Sequence, residues 1–387
     1  MDCDVIIVGA GPAGLALARS LADTGLDIVV VERQPLAAIA DPCFDGREIA
    51  LTHGSADILT RLGAWDLIPE DEISPLRAAR VLNGGSPFAL DFDASGEEPL
   101  GWLVPNHRIR AALFDAIDGQ DGLRLVTGAE VVRVQTSRAM AEVELGDGSQ
   151  LRARLLVGAD SRLSGIRGLL GISAEVNRLG RSMMVCRVRH PIPHHGIATE
   201  WFDHHQTMAM LPLGEGMSSA VLTLPSADIE RLAALGDAEL GAELTMRYSE
   251  RLGPMEVAGP RVAYPLVTTW SWHFAATRAA LIGDAAVGMH PVTAHGFNLG
   301  LRGADLLARL VRAAARRGRD PGATPLLRAY ERRHRGASWP LYAGTNLLVR
   351  LYTEETMPAR AMRHAGLRLG AKLPFVRPGI RRVLMAR

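Results

Sequence analysis

Two kinds of apolar pattern alternate along the first thirty or so residues. Val5 to Val8 is an uninterrupted apolar run, and Leu15, Leu17, Ala18 and Leu21 then recur at helical spacing until Gly25. Ile28 to Val31 is a second apolar run, closing on Glu32-Arg33. Short continuous apolar runs bounded by glycine read as strands covered on both faces. Strand, turn, helix and strand within about thirty residues match a right-handed crossover between parallel strands. The fold class is therefore α/β, with a parallel sheet opening at the amino end.

Beyond Leu36 the pattern is irregular, and then predicts a helix from about Ser55 to Leu62 and an amphipathic helix over His107–Ile117. Strands are expected at Leu123–Val126, Val131–Gln135 and Ala141–Leu145, followed by a buried strand, Leu155 to Val157, that rejoins the first sheet. From about Ile172 to Leu266 strands alternate with Pro- and His-bearing turns, the pattern of an antiparallel sheet carrying a separate cavity. Ala280 to Gly283-Asp284 reads as one more buried strand, with helices from about Asn298 to Arg316 and from Pro325 onward.

The chain has 387 residues, 48% of them hydrophobic and 22% charged, with net charge +1. That is enough for two domains of ordinary soluble composition, and it gives no basis for nucleic-acid binding. Cys3, Cys43 and Cys186 are too scattered for a disulfide framework or a zinc site, which fits a reducing cytosol. His194-His195 and His204-His205 are neighbours that point to opposite faces of a strand, so no metal is expected. Neither a leader peptide nor a membrane-spanning helix is expected.

Gly9-Ala-Gly11-Pro-Ala13-Gly14 between the first strand and its helix has the context that makes such a motif informative. Gly9 permits the tight turn, Gly11 a close approach to a pyrophosphate, and Gly14 the packing of helix on sheet. Ala13 lies in the helix N-terminus, whose N–H groups favour phosphate. Glu32 stands about twenty residues on, with Arg33 beside it, where a carboxylate accepts from a ribose diol. An acid there suits FAD or NAD and disfavours NADP, and the motif alone does not choose between the first two.

Gly158-Ala-Asp160-Ser-Arg-Leu-Ser164-Gly-Ile-Arg167 resembles the second signature of the group A FAD-dependent aromatic monooxygenases. Gly283-Asp284-Ala-Ala-Val-Gly-Met-His290-Pro291, followed by Gly296-Phe297-Asn298, resembles their third. Asp45-Gly-Arg47-Glu-Ile-Ala-Leu51, Gly63-Ala-Trp65 and Asn298-Leu-Gly-Leu-Arg-Gly-Ala-Asp305 are similar to the ubiquinone-biosynthesis hydroxylase branch. The segment His290 to Asn298 is similar to its UbiM subgroup, the demethoxyubiquinol hydroxylases. Val287, where a His is usual, and Ala294-His295, where Gly-Gln is usual, depart from the branch beside the expected flavin ring.

The resemblance implies a Rossmann-like FAD domain of para-hydroxybenzoate-hydroxylase type, built from residues 1–75, 104–171 and 268–320. A substrate domain from 76–103 and 172–267 and a basic helical tail over 321–387 complete the expected organisation. It also implies roles. Asp284 would hold the ribitol chain, Arg47 would lie near the pyrophosphate, Asn106 and Arg108 would contact FAD, and Asp160 would sit beneath the pyrophosphate. Gly283, Pro291, Gly296, Phe297 and Asn298 would line the flavin, with helix dipoles from near Asn298 aimed at its N1 and O2. Strand-end capping is the alternative for Asp160 and Asp284, and surface ion pairing for Arg47 and Arg108.

In that family NAD(P)H reduces the flavin, O₂ adds as a C4a-hydroperoxide, and one oxygen passes to an electron-rich ring carbon. His295, His290 and Pro291 are the candidates beside the reacting ring, the histidines for tuning substrate ionisation or merely lining the pocket. The substrate implied is a polyprenylated phenol or quinol, and an assembly with other ubiquinone-biosynthesis proteins is conceivable in this pathway. Asp320 to Arg387 carries thirteen Arg and Lys against four Asp and Glu, interleaved with Trp339, Leu347, Leu351 and Phe375. Such helices either lie on an anionic membrane, here the cytoplasmic face of the inner one, or pack on the cofactor domain. The alternatives to a ubiquinone-pathway enzyme are a hydroxylase of a small soluble phenol and a non-catalytic flavin-binding redox protein. Trp270-Ser-Trp272 suggests a flavin halogenase but lacks the Ile-Pro continuation.

Overall fold

A computed structural model describes residues 2–86, 89–94, 98–203, 206–293 and 295–353. Val5–Val8 lies at the centre of a six-stranded sheet, flanked by Leu155–Gly158 and Ile28–Glu32, both parallel to it. Leu123–Thr127 extends the parallel array on one side and Ala279–Leu281 on the other, with Ala275–Ala276 antiparallel at the edge. The central strands are wholly apolar because helices and a small three-stranded sheet cover their two faces. The helix Pro12–Ser20 buries Leu15, Leu17 and Ala18 and packs on the long helix His295–Ala315.

A second, larger sheet gathers Ala174–Arg189, Met217–Pro225, Gln206–Pro212, Ile197–Asp203, Ala78–Asn83 and Ala89–Asp93 with Val262–Ser271 and Val287–Gly288. Its pairings are antiparallel except that Ile197–Asp203 runs parallel to Ala78–Asn83. One face carries Met184, Cys186, Trp201, Met208 and Leu222, sealed by Ile229, Leu232, Leu240 and Leu244 of two short helices. Alternation turns the other face toward the first sheet's loops: a Cβ on Gly46 would lie 3.4 Å from Val262 and 3.6 Å from Val185. Gly101–Pro105 joins neither large sheet, pairing instead with Glu48–Leu51 and Ser74–Leu76.

Three element boundaries differ from the sequence reading. The helix expected from Ser55 spans His53–Arg61, because Thr52 caps it by accepting from the Ser55 N–H. That expected from His107 spans Asn106–Asp115, directly after Pro105. The helix expected from Asn298 begins one turn sooner, at His295.

The last described helix, Thr324–Thr353, contains Pro340 and packs on His295–Ala315. Gly303 makes the approach possible: a Cβ there would stand 2.5 Å from the His334 ring. Trp339 and Leu347 are 52% and 68% exposed. Phe375, Lys372 and the basic residues after Thr353 lie outside the described residues, as do His204 and His205. Among the described residues no helix is long and apolar enough to cross a membrane.

Tyr330 is fully buried and its hydroxyl donates to the Leu281 carbonyl at 2.7 Å. Tyr330→Phe leaves that buried carbonyl short of a partner, so urea denaturation should show a loss of about 1–3 kcal/mol.

Candidate cofactor and active site

Three turns far apart in sequence meet where no side chain fits. Gly9 has φ +114°, and a Cβ on it would lie 2.5 Å from the Ala159 carbonyl oxygen. A Cβ on Gly14 would collide with the Gly9 carbonyl, which lets the helix start hard against the strand end. A Cβ on Gly283 would come 3.0 Å from that of Ala13, and one on Gly300 3.2 Å from Gly283 Cα. Gly11 is the exception, with nothing within 4 Å of the same position. The turn is closed on its protein sides and open at Gly11, a cradle that fits the diphosphate of a dinucleotide at a helix N-terminus.

Glu32 ends its strand beside this turn, where its carboxylate accepts from the Ala10 N–H at 2.8 Å and the Gln34 N–H at 2.9 Å. Its neighbour Arg33 is exposed. Asp160 accepts from the Ser164 hydroxyl at 2.5 Å and the Ile166 N–H at 3.3 Å, so strand-end capping is at least part of its work. Asp284 is bridged by Arg162 at 2.9 Å, joining the second and third signatures across 122 residues of chain. Arg162 is steadied by donating to the Val267 carbonyl, and buried Arg167 donates to the Arg162 and Ala285 carbonyls.

A second polar cluster lies between the larger sheet and the three-stranded sheet that contains Glu48–Leu51. Arg47 donates to Asp45 through Nε at 3.0 Å and Nη2 at 2.5 Å, and Asn106 donates to the same carboxylate at 2.7 Å. Burial pushes the Asp45 carboxyl up, but Arg47 and Asn106 outweigh it and hold it below its usual range. Tyr264 donates to the Asp45 carbonyl at 2.5 Å, which ties this loop to the large sheet. Arg108 does not join Arg47: it is engaged by Glu72 at 2.9 Å. Glu72 also approaches Arg187, whose guanidinium is held by Glu48 at 2.9 Å and lies over the Phe44 ring. Burial raises the Glu48 carboxyl despite Arg187.

The segment expected at the flavin ring runs from His290 through a 3₁₀ turn, Pro291–Thr293, into the helix at His295. Pro291 is exposed; Gly296 and Phe297 are half-buried in the first helical turn, where N–H groups lack partners within the helix. Because that helix starts early, Asn298 sits inside it and its side chain turns to the strand Glu48–Leu51. It donates to the Ala50 carbonyl at 2.8 Å and accepts from the Thr52 N–H at 3.0 Å. His290 is buried with Arg162 and Arg181 nearby, and burial first, then those charges, push it down to about 4. His290 Nδ1 accepts from the Val292 N–H at 3.2 Å, leaving the neutral ring's proton on Nε2. Ala294 lies outside the described residues.

Sequence reasoning did not assign Arg162 its bridge to Asp284 or Glu48 its bridge to Arg187, and it missed Glu72, Arg187 and Tyr264 altogether. Arg162 and Glu48 stood inside recognised motifs. The others are single polar residues in alternating strands or turns, and only the folded chain brings them together.

A family model described as FAD binding domain matches residues 2–344. Over 380 residues the chain is 46% identical to the ubiquinone hydroxylase UbiM of Neisseria meningitidis, covering 97% of this chain and 82% of that protein. It is 36% identical to the ubiquinone hydroxylase UbiL of Rhodospirillum rubrum, covering 94% and 85%. Its fold is that of the p-nitrophenol 4-monooxygenase of Pseudomonas putida, with a TM-score of 0.78, 20% identity, and coverage of 99% and 98%.

Burial makes His290 and His334 neutral in the folded protein, each pushed down to about 4 from an ordinary 6.5. Between those values the unfolded chain binds protons that the folded one refuses, so stability falls as pH is lowered from about 6.5 to about 4. Melting temperatures across that range should drop for the wild type, and His290→Gln and His334→Gln should each remove part of the drop.

Proposed function

The chain belongs to the FAD binding domain family, in its ubiquinone-hydroxylase branch, and we propose that it hydroxylates the aromatic ring of a polyprenylated phenol or benzoquinol in ubiquinone biosynthesis. The observation that carries the substrate class is the near full-length identity to ubiquinone hydroxylases. What supports the cofactor independently is the cradle open only at Gly11.

In this reading Gly9, Gly11, Ala13 and Gly14 receive the FAD diphosphate at the first helix, while Glu32 and Arg33 border the adenosine ribose. Asp284, set by Arg162, holds the ribitol chain, and Arg47, set by Asp45 and with Asn106 beside it on the same carboxylate, donates to the diphosphate. Asp160 orders the turn beneath it. Arg108 acts through Glu72 and the inter-sheet cluster, a change from the direct cofactor contact expected. Gly283 admits the close packing, and the N–H groups from His295 to Asn298 favour negative charge on the flavin ring beside Pro291. Asn298 contributes its main chain there, since its side chain is committed to Ala50 and Thr52.

When bound, FAD accepts a hydride from NAD(P)H and, once reduced, activates O₂ for transfer of one oxygen atom to the ring. The chain's work is to hold the ring edge toward that oxygen and keep water away. The apolar inner face of the large sheet and the buried segment Val287 to His290 supply the dry walls. His290, neutral across the working range, lines the pocket as a hydrogen-bonding ring; His295, on the first helical turn, is the histidine left for proton exchange. A polyprenyl substrate is dissolved in lipid, so we place the enzyme on the membrane surface, with exposed Trp339 and Leu347 on a basic helix as its contact.

Purified protein should be yellow with FAD, be reduced by NADH or NADPH, and convert a demethoxyubiquinol analogue to a product 16 mass units heavier, the mass of one added oxygen atom. Arg47→Gln should weaken FAD binding about 10–100-fold in a fluorescence titration, the worth of a charged hydrogen bond. Binding as tight as wild type would remove Arg47 from the diphosphate site.

A further inference from the structure

One carboxylate stands apart from every group invoked so far. Glu200 lies on Ile197–Asp203, in a row crossing the large sheet as Val81, Glu200, Ala209, Val221, Val185 and Val262. Every other member of the row is aliphatic. The far end of the row is the pair of valines that meets Gly46, so the row belongs to the face turned toward the Asp45–Arg47 loop. The opposite face, with Trp201 and Met208, is sealed by helices.

Among the described residues Glu200 has neither a hydrogen bond nor an ion pair, and no charge acts on it. It retains accessible surface, yet burial alone pushes its carboxyl up to about 8. Its side of the sheet is the one turned toward the Asp45–Arg47 loop and away from the covering helices. Among the described residues, the titratable groups that follow in the flanking rows of the sheet are engaged elsewhere. Arg80 and Asp91 pair at 2.6 Å on the other side of the sheet, alternating with Val81 and Leu90. In the adjacent row on Glu200's own face, Arg187 beside Ser219 is held by Glu48 and Glu72. In the row on the other side, Tyr264 is bonded to the Asp45 carbonyl. An unpaired acid in an apolar row costs stability, a cost characteristic of working sites.

We propose that Glu200 is the acid–base residue of the substrate cleft, its carboxylate taking the proton of a ring hydroxyl of the bound phenol or quinol. The O–H bond breaks, its electron pair stays on the ring oxygen, and the proton moves to a Glu200 Oε atom. The phenolate so formed enriches the ortho and para ring carbons, one of which receives the oxygen atom; O₂ and NAD(P)H supply the oxygen and the two electrons. The proton then returns to the product oxygen or to solvent. A carboxyl that titrates near the working pH is suited to this exchange. The inference rests on the hydroxylase reading above and adds a carboxylate, acting on the ring hydroxyl, to the one histidine that reading left for proton exchange.

Glu200→Gln keeps the shape and removes the titration, and two measurements test it. In the folded wild type Glu200 holds a proton up to about pH 8 that the unfolded chain releases at about 4.3, so its contribution to stability falls as pH rises between them. Above about pH 6.5, where the opposing contribution of His290 and His334 has levelled off, stability should therefore fall toward pH 8. That fall should vanish in Glu200→Gln, and an unchanged fall overturns the placement of Glu200 among apolar neighbours. With a demethoxyubiquinol analogue bearing one isoprene unit, Glu200→Gln should form product about 100-fold more slowly or worse, diverting NAD(P)H oxidation to H₂O₂. The rise of product formation toward pH 8 should disappear with it, and Glu200→Asp should recover part of both. A Gln variant that hydroxylates with the wild-type rate and pH profile overturns the proposal and leaves the hydroxylase reading standing. A wild type that reduces its flavin but yields no hydroxylated product from the analogue brings down both.

Discussion

The arrangement depends on a steric condition: where the turns after Val8, Gly158 and Ile282 meet, there is no room for a methyl group. Gly9 against Ala159, Gly14 against the Gly9 carbonyl, and Gly283 between Ala13 and Gly300 bring backbone onto backbone. Close-packed interiors do not yield by an ångström to admit a side chain. The same contacts put two helix N-termini, at Pro12 and His295, at one end of the parallel sheet. Fixed partial positive charge is thereby collected at one place before any ligand arrives. Crowding among the glycines and openness at Gly11 are two sides of one construction.

Around that end, charge is arranged in pairs that leave little unpaired. Arg162 with Asp284 closes one flank, Arg47 with Asp45 and Asn106 the other, and Arg187 with Glu48 and Glu72 lies between the sheets. Arg162 with Asp284, Asn106 with Asp45, and Arg187 with Glu48 each tie together elements distant in sequence, so orientation is their main contribution. Exposed ion pairs contribute little to stability, and buried ones offset much of their own desolvation. Glu200 differs from them because its row offers only aliphatic neighbours.

The parallel sheet was legible because its strands are continuous apolar runs closed by glycine, a pattern few other structures need. The first signature could be read as physics, from turn, approach and packing, whereas the second and third needed a likeness to known enzymes. Asn298 shows where reading stops. A three-residue shift in helix start, set by the chain after Pro291, takes its side chain from the cofactor side to Ala50 and Thr52. Arg108 pairs with Glu72, a partner 36 residues away that no local pattern announces. Glu200 carried no signal at all: one acid in an alternating strand looks solvated until the pairing assigns its face.

The strand order of the smaller sheet also bears on how the molecule comes into being. Val5–Val8 has Leu155–Gly158 as one neighbour, and the next strand outward, Ala279–Leu281, is followed by the helix that covers it. A chain leaving the ribosome therefore exposes a half-made parallel sheet, with one bare edge, while most of the antiparallel sheet is being synthesised. Such long-range closure is slow and leaves sticky intermediates. Cofactor capture must accordingly follow translation, and a cell short of flavin would meet this protein first as an aggregation hazard and only then as a missing activity.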